Sequence, residues 1–457
     1  MSLLARVAVA AACIALGVFY IVAANTHAER VNVSKARGDQ SGYLWDAQNV
    51  YKNWHGEQPP IVLGERNRMP IYAAFLALVW DPAVTNDEYF VVGRRANVYL
   101  SLALVVLLAC VLLWILPRHG AVNLIGVFTF GYFIYKAGYT QSELLFYFFF
   151  FLTFLGCWGL LVSRPDRRAV GLALLTGVLA ALSHLTKAAM LPFLAIFLGV
   201  YGLKALWQFF DRRRSGTGEP TRDLVRQTLT AVVFTAAFLA VLWPYISTSK
   251  RVFGHYFYNV ATTFCVWYDN WAQASVGTRL HGDGVGWPTM PESELPSASR
   301  YWREHSIGQI AARIGHGLED IVIRSYTTYG HFKYLTLYLA VLGALVLTRR
   351  SIMARMTWDQ VWLAGFLAVY GFVFLLAIAF YEPISGTGTA RFFLAHMLPL
   401  FYTATRIIGA RGLRDVSWTL AGTRVTLAHF QWLVTGTLAL DVVFGVWPRL
   451  MTTYGGF

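Results

Sequence analysis

Apolar positions along this chain gather into blocks far longer than one turn of helix or one strand. Runs of about 16 to 22 apolar residues fall near 7–24, 97–116, 121–136, 144–162, 169–186, 190–209, 228–246, 333–348, 360–381, 392–409 and 430–447. At a rise of 1.5 Å per residue, runs of this length approach or reach the thickness of a bilayer core. The pattern therefore predicts an all-α polytopic membrane protein of about eleven transmembrane helices. The third run is short and interrupted by glycine. The first, Val7 to Ala24, is too long for the apolar region of a signal peptide and reads as an uncleaved span.

Two weaker patterns lie between the first and second runs. The segment IYAAFLALVW (71–80) is too short to cross and predicts a helix lying in the membrane interface. Tyr43, Ala47, Val50 and Trp54 recur at helical spacing and predict a second helix with one face on the bilayer.

Charge orients the spans. The turns SRPDRR (163–168), DRRRSGTGEPTRDLVR (211–226), TRRSIMARM (348–356) and RIIGARGLR (406–414) are all arginine-rich, and all fall inside if the N-terminus is inside. Two long segments, 25–96 and 247–332, then face outward. The stretch 269–296, rich in Gly, Pro and Trp, reads as an outer loop. No internal repeat or soluble appendage is evident, so residues 1–457 read as one transmembrane domain.

With 56% hydrophobic and 14% charged residues, a soluble globular surface is excluded. The net charge of +14 then points to anionic membrane lipids rather than to nucleic acid. Of the four cysteines, Cys13, Cys110 and Cys157 lie inside apolar runs, which leaves no disulfide framework.

The carboxylates sort by side. Of 24 Asp and Glu, only Asp166, Asp211, Glu219, Asp223, Asp359 and Asp415 fall inside; Asp441 lies in the last span, and the rest are at the outer face. Any chemistry is therefore expected outside. Asp39, just beyond the first span, reads as a general base or as a helix N-cap. Arg66 and Arg68 suit a phosphate, or serve as anchors for the helix that follows. Glu143 opens the fourth span, where it binds an acceptor or cation or simply favours the helix start. His184 and Lys187 occupy the turn between the fifth and sixth spans, and Lys187 is placed as a point charge for a phosphate. Glu382 precedes a Gly- and Thr-rich loop, and Arg391 follows it on the outer side, against the usual positive-inside bias. In the second long segment, Arg251, His255, His281 and Asp283 show no specific metal-ligand spacing.

The order GDQSGYLWDAQNVY, NRMPIYAAFLAL, YTQSELLFYFFFFLTF, LSHLTKAAMLPFL and TARFFLAHMLPLFY resembles the GT-C glycosyltransferase superfamily. The branch it is most similar to holds the protein O-mannosyltransferases and the aminoarabinose and galacturonic acid transferases of lipid A. The resemblance runs from residue 1 to about 405, while 247–332 matches no part of it. It implies an enzyme that moves a sugar from a polyprenyl-phosphate donor to an extracytoplasmic glycan, lipid or protein acceptor, with inversion. It implies Asp39 as the catalytic acid of the first loop, followed by Tyr43 and Ala47. Gln40 stands where that family usually has a second acid, which bears on any Mg, Mn or Ca ion at the pair. Glu143, Lys187 and Arg391 match an acid, a lysine and an arginine of the family pattern, with Phe392 replacing its tyrosine. Lys187 and Arg391, joined by Arg66 or Arg68, are expected at the donor phosphate. Tyr43, Asp46, His184, His255 and Glu382 are expected as sugar or acceptor contacts. Trp45 and Trp54 are expected at sugar faces or at the membrane interface. The location implied is the bacterial inner membrane, with the site facing the periplasm.

Two other classes stay open from the residues. A glycan ligase or polymerase resembling O-antigen ligases, with a diphosphate-linked donor, would rely on Arg251, His255 and the second long segment. A lipid flippase or transporter would favour midplane charges such as Asp441, together with a repeated half.

Overall fold

The computed structural model describes residues 3–36, 38–57, 68–216, 218–281, 294–328, 332–348, 357–385, 389–410, 413 and 416–452. They form α1 (Leu3–Val31), α2 (Gln40–Trp54), α3 (Pro70–Ala77), α4 (Asn86–Ile115), α5 (Arg118–Phe128) and α6 (Ile134–Lys136). There follow α7 (Glu143–Val162), α8 (Arg167–Thr186), α9 (Leu191–Ser215), α10 (Pro220–Phe253), α11 (Val260–Thr263), α12 (Trp271–His281), α13 (Ala298–Glu304), α14 (Ile307–Thr328) and α15 (Phe332–Thr348). The chain ends in α16 (Trp358–Ser385), α17 (Thr389–Ile408), α18 (Leu427–Asp441) and α19 (Trp447–Met451). Five-residue π-turns join α5 to α6 and α18 to α19.

The molecule is an almost entirely helical, multi-pass membrane protein. Each of the eleven apolar runs lies within a helical stretch, and eight of these helices are long and apolar enough to cross a membrane. The other three stretches are α5 with α6, the shorter α15, and α17, which carries Arg391, His396 and Arg406.

Local chemistry sets the helix ends. Thr85 and Glu88 form a reciprocal capping box at the start of α4. Asp166 caps α8 through the Ala169 amide at 3.0 Å. α9 closes with Arg212, Arg213 and Arg214 in its last turn, where cations complement the helix dipole.

The centre of the bundle is built on α7, whose sequence FYFFFF is apolar on every side and therefore buried on every side. Phe150 packs against Phe193, Tyr370 and Phe374, and Phe154 against Tyr370 and Tyr402. Lipid tails are as apolar as these rings, so the contacts gain mainly van der Waals attraction. Close backbone approach adds to it: a Cβ at Gly177 of α8 would collide with the Phe234 carbonyl of α10.

The helix ends separate into two sides. The ends of α1, α8 and α16 and the starts of α2, α7 and α17 meet around the ion pairs described below. At the opposite end Arg406 donates to the Ile115 carbonyl at 2.8 Å, and Lys204 of α9 pairs with Asp359 of α16 at 2.6 Å.

Three expectations are corrected. The Tyr43 and Ala47 face of α2 is buried against protein, while Trp45 and Trp54 point outward, each more than half exposed. α3 is likewise no free interfacial helix: Tyr72, Ala73 and Leu76 are fully buried. The amphipathic faces were real, but protein rather than lipid covers them. The 269–296 stretch contains a helix, α12, and further along the second long segment runs the 22-residue α14. α14 crosses α16 closely, since a Cβ at Gly317 would collide with the Ala379 carbonyl. The all-α class holds, with one short hairpin beside the helices. Strands Ser417–Leu420 and Thr423–Thr426 pair antiparallel through Ala421 and Gly422, both at positive φ as a type I′ turn requires.

Candidate active site

Gly38 adopts a left-handed φ of +64°, and a Cβ there would stand 2.8 Å from the Gln141 side-chain nitrogen. This turn brings Asp39 to the N-cap position of α2. Its carboxylate makes no cap hydrogen bond. Instead Arg391 Nη1 donates to Asp39 Oδ2 at 3.2 Å, across the bundle from the start of α17. The N-cap reading of Asp39 therefore fails.

Glu143 begins α7 and is 2% exposed. Its Oε1 accepts from Lys187 Nζ at 3.2 Å and lies 3.4 Å from Arg391 Nη1. α8 stops at Lys187, whose backbone turns extended, and this releases the ammonium toward the cavity. The Phe392 ring lies under both cations, 4.4 Å from Lys187 Nζ and 5.1 Å from the Arg391 guanidinium carbon. Burial holds the Lys187 pKa below the ordinary lysine value, and the Glu143 carboxylate offsets this only in part. Burial, followed by the charges of Glu143 and Asp39, pushes the Tyr43 phenol well above its usual range. Tyr43 thus stays protonated, hydrogen-bonded to Ser142 at 2.7 Å.

Lys136, a residue the sequence reading passed over, joins this group. It is 6% exposed, lies over the Tyr139 ring, and is in electrostatic range of Glu143, Arg391, Lys187 and Asp39. Counting Lys136, three cations and two carboxylates lie within electrostatic range of one another, an excess of one positive charge. Two buried atoms of the cluster, Glu143 Oε2 and Arg391 Nε, have no hydrogen-bond partner among the described residues. Such atoms ask for a water or a ligand.

The cluster opens into a cavity of about 1080 Å³. Asp39, Tyr43, Arg68, Lys187 and Arg391 form its polar end, and Phe146, Phe374, Ile378, Ile310 and Ile314 contribute an apolar wall.

The remaining expected residues divide. Arg68 reaches the cavity but is paired with the buried Asp46 at 2.8 Å, so Asp46 neutralises Arg68 and is not part of the lining. His184 is corrected: it is buried between Phe238 and Phe257 and does not line the cavity. His255 is exposed beside Tyr258, also outside the lining. Glu382 instead faces Asp320, Arg324, Arg313 and His316, all on α14. Arg66 and Asp283 lie outside the described residues. Asp441, in the last span, pairs with Lys333 and accepts from the Tyr334 hydroxyl at 3.2 Å, which is a helix-to-helix contact.

Gln40 is fully buried. Its Oε1 accepts from Asn32 at 2.8 Å and from the Thr140 amide at 3.0 Å, and its Nε2 donates to Asn32 Oδ1. Where the resembled family has a second acid, this chain has an amide that ties the first loop to the turn before α7. No group of three His, Cys, Asp or Glu gathers to hold a metal among the described residues. Asp39 and Glu143 each face cations instead.

The fold and site define a multi-pass membrane protein with a charged, partly apolar cavity at one end of its bundle. Searched against protein-family models, the chain matches none, and among curated proteins no significant match is found.

Proposed function

We propose that this protein is a GT-C-type glycosyltransferase that takes its sugar from a polyprenyl-phosphate donor. The observation that carries the reading is the Asp39, Glu143, Lys187 and Arg391 cluster, with one excess positive charge counting Lys136, at the polar end of a cavity with an apolar wall. A lipid monophosphate has the matching chemistry: an anion joined to an oily chain. In this reading α5 with α6, α15 and α17 also cross the membrane, giving eleven spans with the N-terminus inside and the site at the periplasmic face of a bacterial inner membrane.

The donor phosphate competes with Asp39 for Arg391, so donor binding frees the carboxylate. Asp39 then accepts the proton of an acceptor hydroxyl as that oxygen attacks the anomeric carbon. The bond from that carbon to the phosphate oxygen breaks on the opposite face, and polyprenyl phosphate leaves with the electron pair. Lys187 and Arg391 stabilise its charge, and the new glycosidic bond has inverted configuration. Because two fixed cations meet the leaving phosphate, no step is routed through a metal, and transfer is expected to persist in the presence of a chelator. The residues on which a diphosphate-linked ligase would rely, Arg251 and His255, are exposed and stand outside the cavity lining.

The test is transfer by the purified protein in liposomes. A panel of synthetic polyprenyl-phosphate sugars serves as donors and a membrane extract as acceptor source. Release of free polyprenyl phosphate with an inverted anomeric product is expected. No release with any donor would sink the proposal.

A further inference from the structure

Part of the cavity wall comes from the second long segment, which the glycosyltransferase reading leaves without a task. Trp267, Trp271 and Trp302 line the cavity there. Trp267 is held against Tyr301 and Phe380 at ring separations of 6.2 and 5.8 Å. Trp271 and Trp302 are 55% and 59% exposed, although they are among the largest apolar side chains in the protein. The same lining includes the polar residues Asn259, Thr262 and Ser385.

This wall is built rather than incidental. Arg313 of α14 is 8% exposed, and its guanidinium donates to the carbonyls of Phe380, Tyr268 and Val266 at 2.8, 3.0 and 3.1 Å. It also lies 4.0 Å from the Phe380 ring centre and 5.1 Å from that of Tyr301. One buried cation therefore clamps the Val266–Tyr268 turn to the end of α16, and Trp267 sits in the middle of that turn.

We infer that this wall is the acceptor site and that the acceptor is a saccharide, bound with its ring faces against the tryptophans. The inference rests on the glycosyltransferase reading above for the word acceptor, but not for the site. A pyranose presents a face of C–H groups and an edge of hydroxyls, which matches flat aromatic faces in a cavity that also holds polar residues. The polyprenyl chain has no hydroxyl edge to set beside these rings. It finds a better surface in the aliphatic wall of Ile310, Ile314 and Ile378. Arg313 acts as a positioning residue, since it touches the loop that carries Trp267 rather than the cavity.

Saturation-transfer NMR on the full-length protein in nanodiscs tests the site without requiring turnover. The probes are gluco-, galacto- and manno-configured oligosaccharides, a short polyprenyl phosphate and a hydroxyl-bearing peptide. The ring protons of at least one oligosaccharide should be enhanced in the wild type and in Lys187→Ala, and lost in Trp271→Ala/Trp302→Ala of unchanged melting temperature. If no oligosaccharide is enhanced, or if the signal survives the double substitution, the inference is overturned. It is equally overturned if the tryptophan substitutions abolish the signal of the prenyl chain or the peptide instead. In the transfer assay, Arg313→Lys should raise the acceptor KM about tenfold or more with little change in kcat, because lysine cannot hold three carbonyls at once. A fall in kcat alone would remove the positioning role. Tryptophan-dependent saccharide binding in a protein that releases no polyprenyl phosphate would keep the site and remove the transferase.

Discussion

Two ion-pair clusters in this bundle look alike in sequence and differ in structure. In one, Asp441 of the last span meets Lys333 of α15 and the Tyr334 hydroxyl. One acid faces one cation, the tyrosine donates to the same carboxylate, and neither charge lines the cavity. In the other, Asp39 and Glu143 meet Lys187, Arg391 and Lys136. Here the charges do not balance, two buried polar atoms lack partners among the described residues, and the group opens into the cavity. A charge inside a membrane protein is a candidate for function. The comparison refines that rule: a balanced, closed pair holds helices together, whereas an unbalanced, open one is ready for a ligand.

The sharpest way to break the comparison is to remove charge from each cluster in turn. Asp39→Asn should slow transfer by about two to four powers of ten, the range of a lost general base. Lys187→Ala and Arg391→Ala should each lower the rate by about a hundredfold or more, the scale of a lost leaving-group contact. Both should also weaken the fold, because Glu143 is left buried with one partner fewer. A kinetic assay combined with a thermal melt reads both effects. Asp441→Asn should leave transfer intact, because neither Asp441 nor Lys333 lines the cavity, and its effect should appear only in the thermal melt. Loss of activity in Asp441→Asn would merge the two clusters and defeat the distinction.

pH offers a subtler separation. Burial lowers the Lys187 pKa below the ordinary value of 10.5. As pH rises through the lowered value the ammonium is lost, so the transfer rate should fall on an alkaline limb that begins below pH 10.5. Stability should move the other way. Between the folded and unfolded pKa values the unfolded chain holds more protons, so raising the pH in that window removes the penalty of a buried charge and favours the fold. Lys187→Arg should shift the limb upward, because a guanidinium stays charged. A limb that is unchanged in Lys187→Arg would assign it to another group.

Much of this was legible in the sequence. Long apolar runs have one stable solution in a membrane, so every run lies within a helix. Asp39, Glu143, Lys187 and Arg391 stood out because the charge pattern of the loops puts each at a span end expected to face outward, and the chain returns all four to one place. The faces of α2 and α3 were misread because an amphipathic helix looks the same whether lipid or protein covers it. Lys136 was overlooked because a lysine near a span end is the ordinary snorkelling residue. Arg313 lies in a segment whose sequence gives no sign that its guanidinium grips three backbone carbonyls from two other elements. The expected roles of His184 and Glu382 failed for a related reason: position along the chain does not say which side of a helix end faces the cavity.

The most direct measurement of the central claim is single-turnover release of polyprenyl phosphate by wild-type and Asp39→Asn protein, both folded, both loaded with the same polyprenyl-phosphate sugar and both mixed with the same acceptor extract. The account predicts rapid release by the wild type and almost none by the variant, with donor binding retained in both. Equal release by the two proteins would contradict it, because the carboxylate that Arg391 holds at the cavity would then have no part in the reaction.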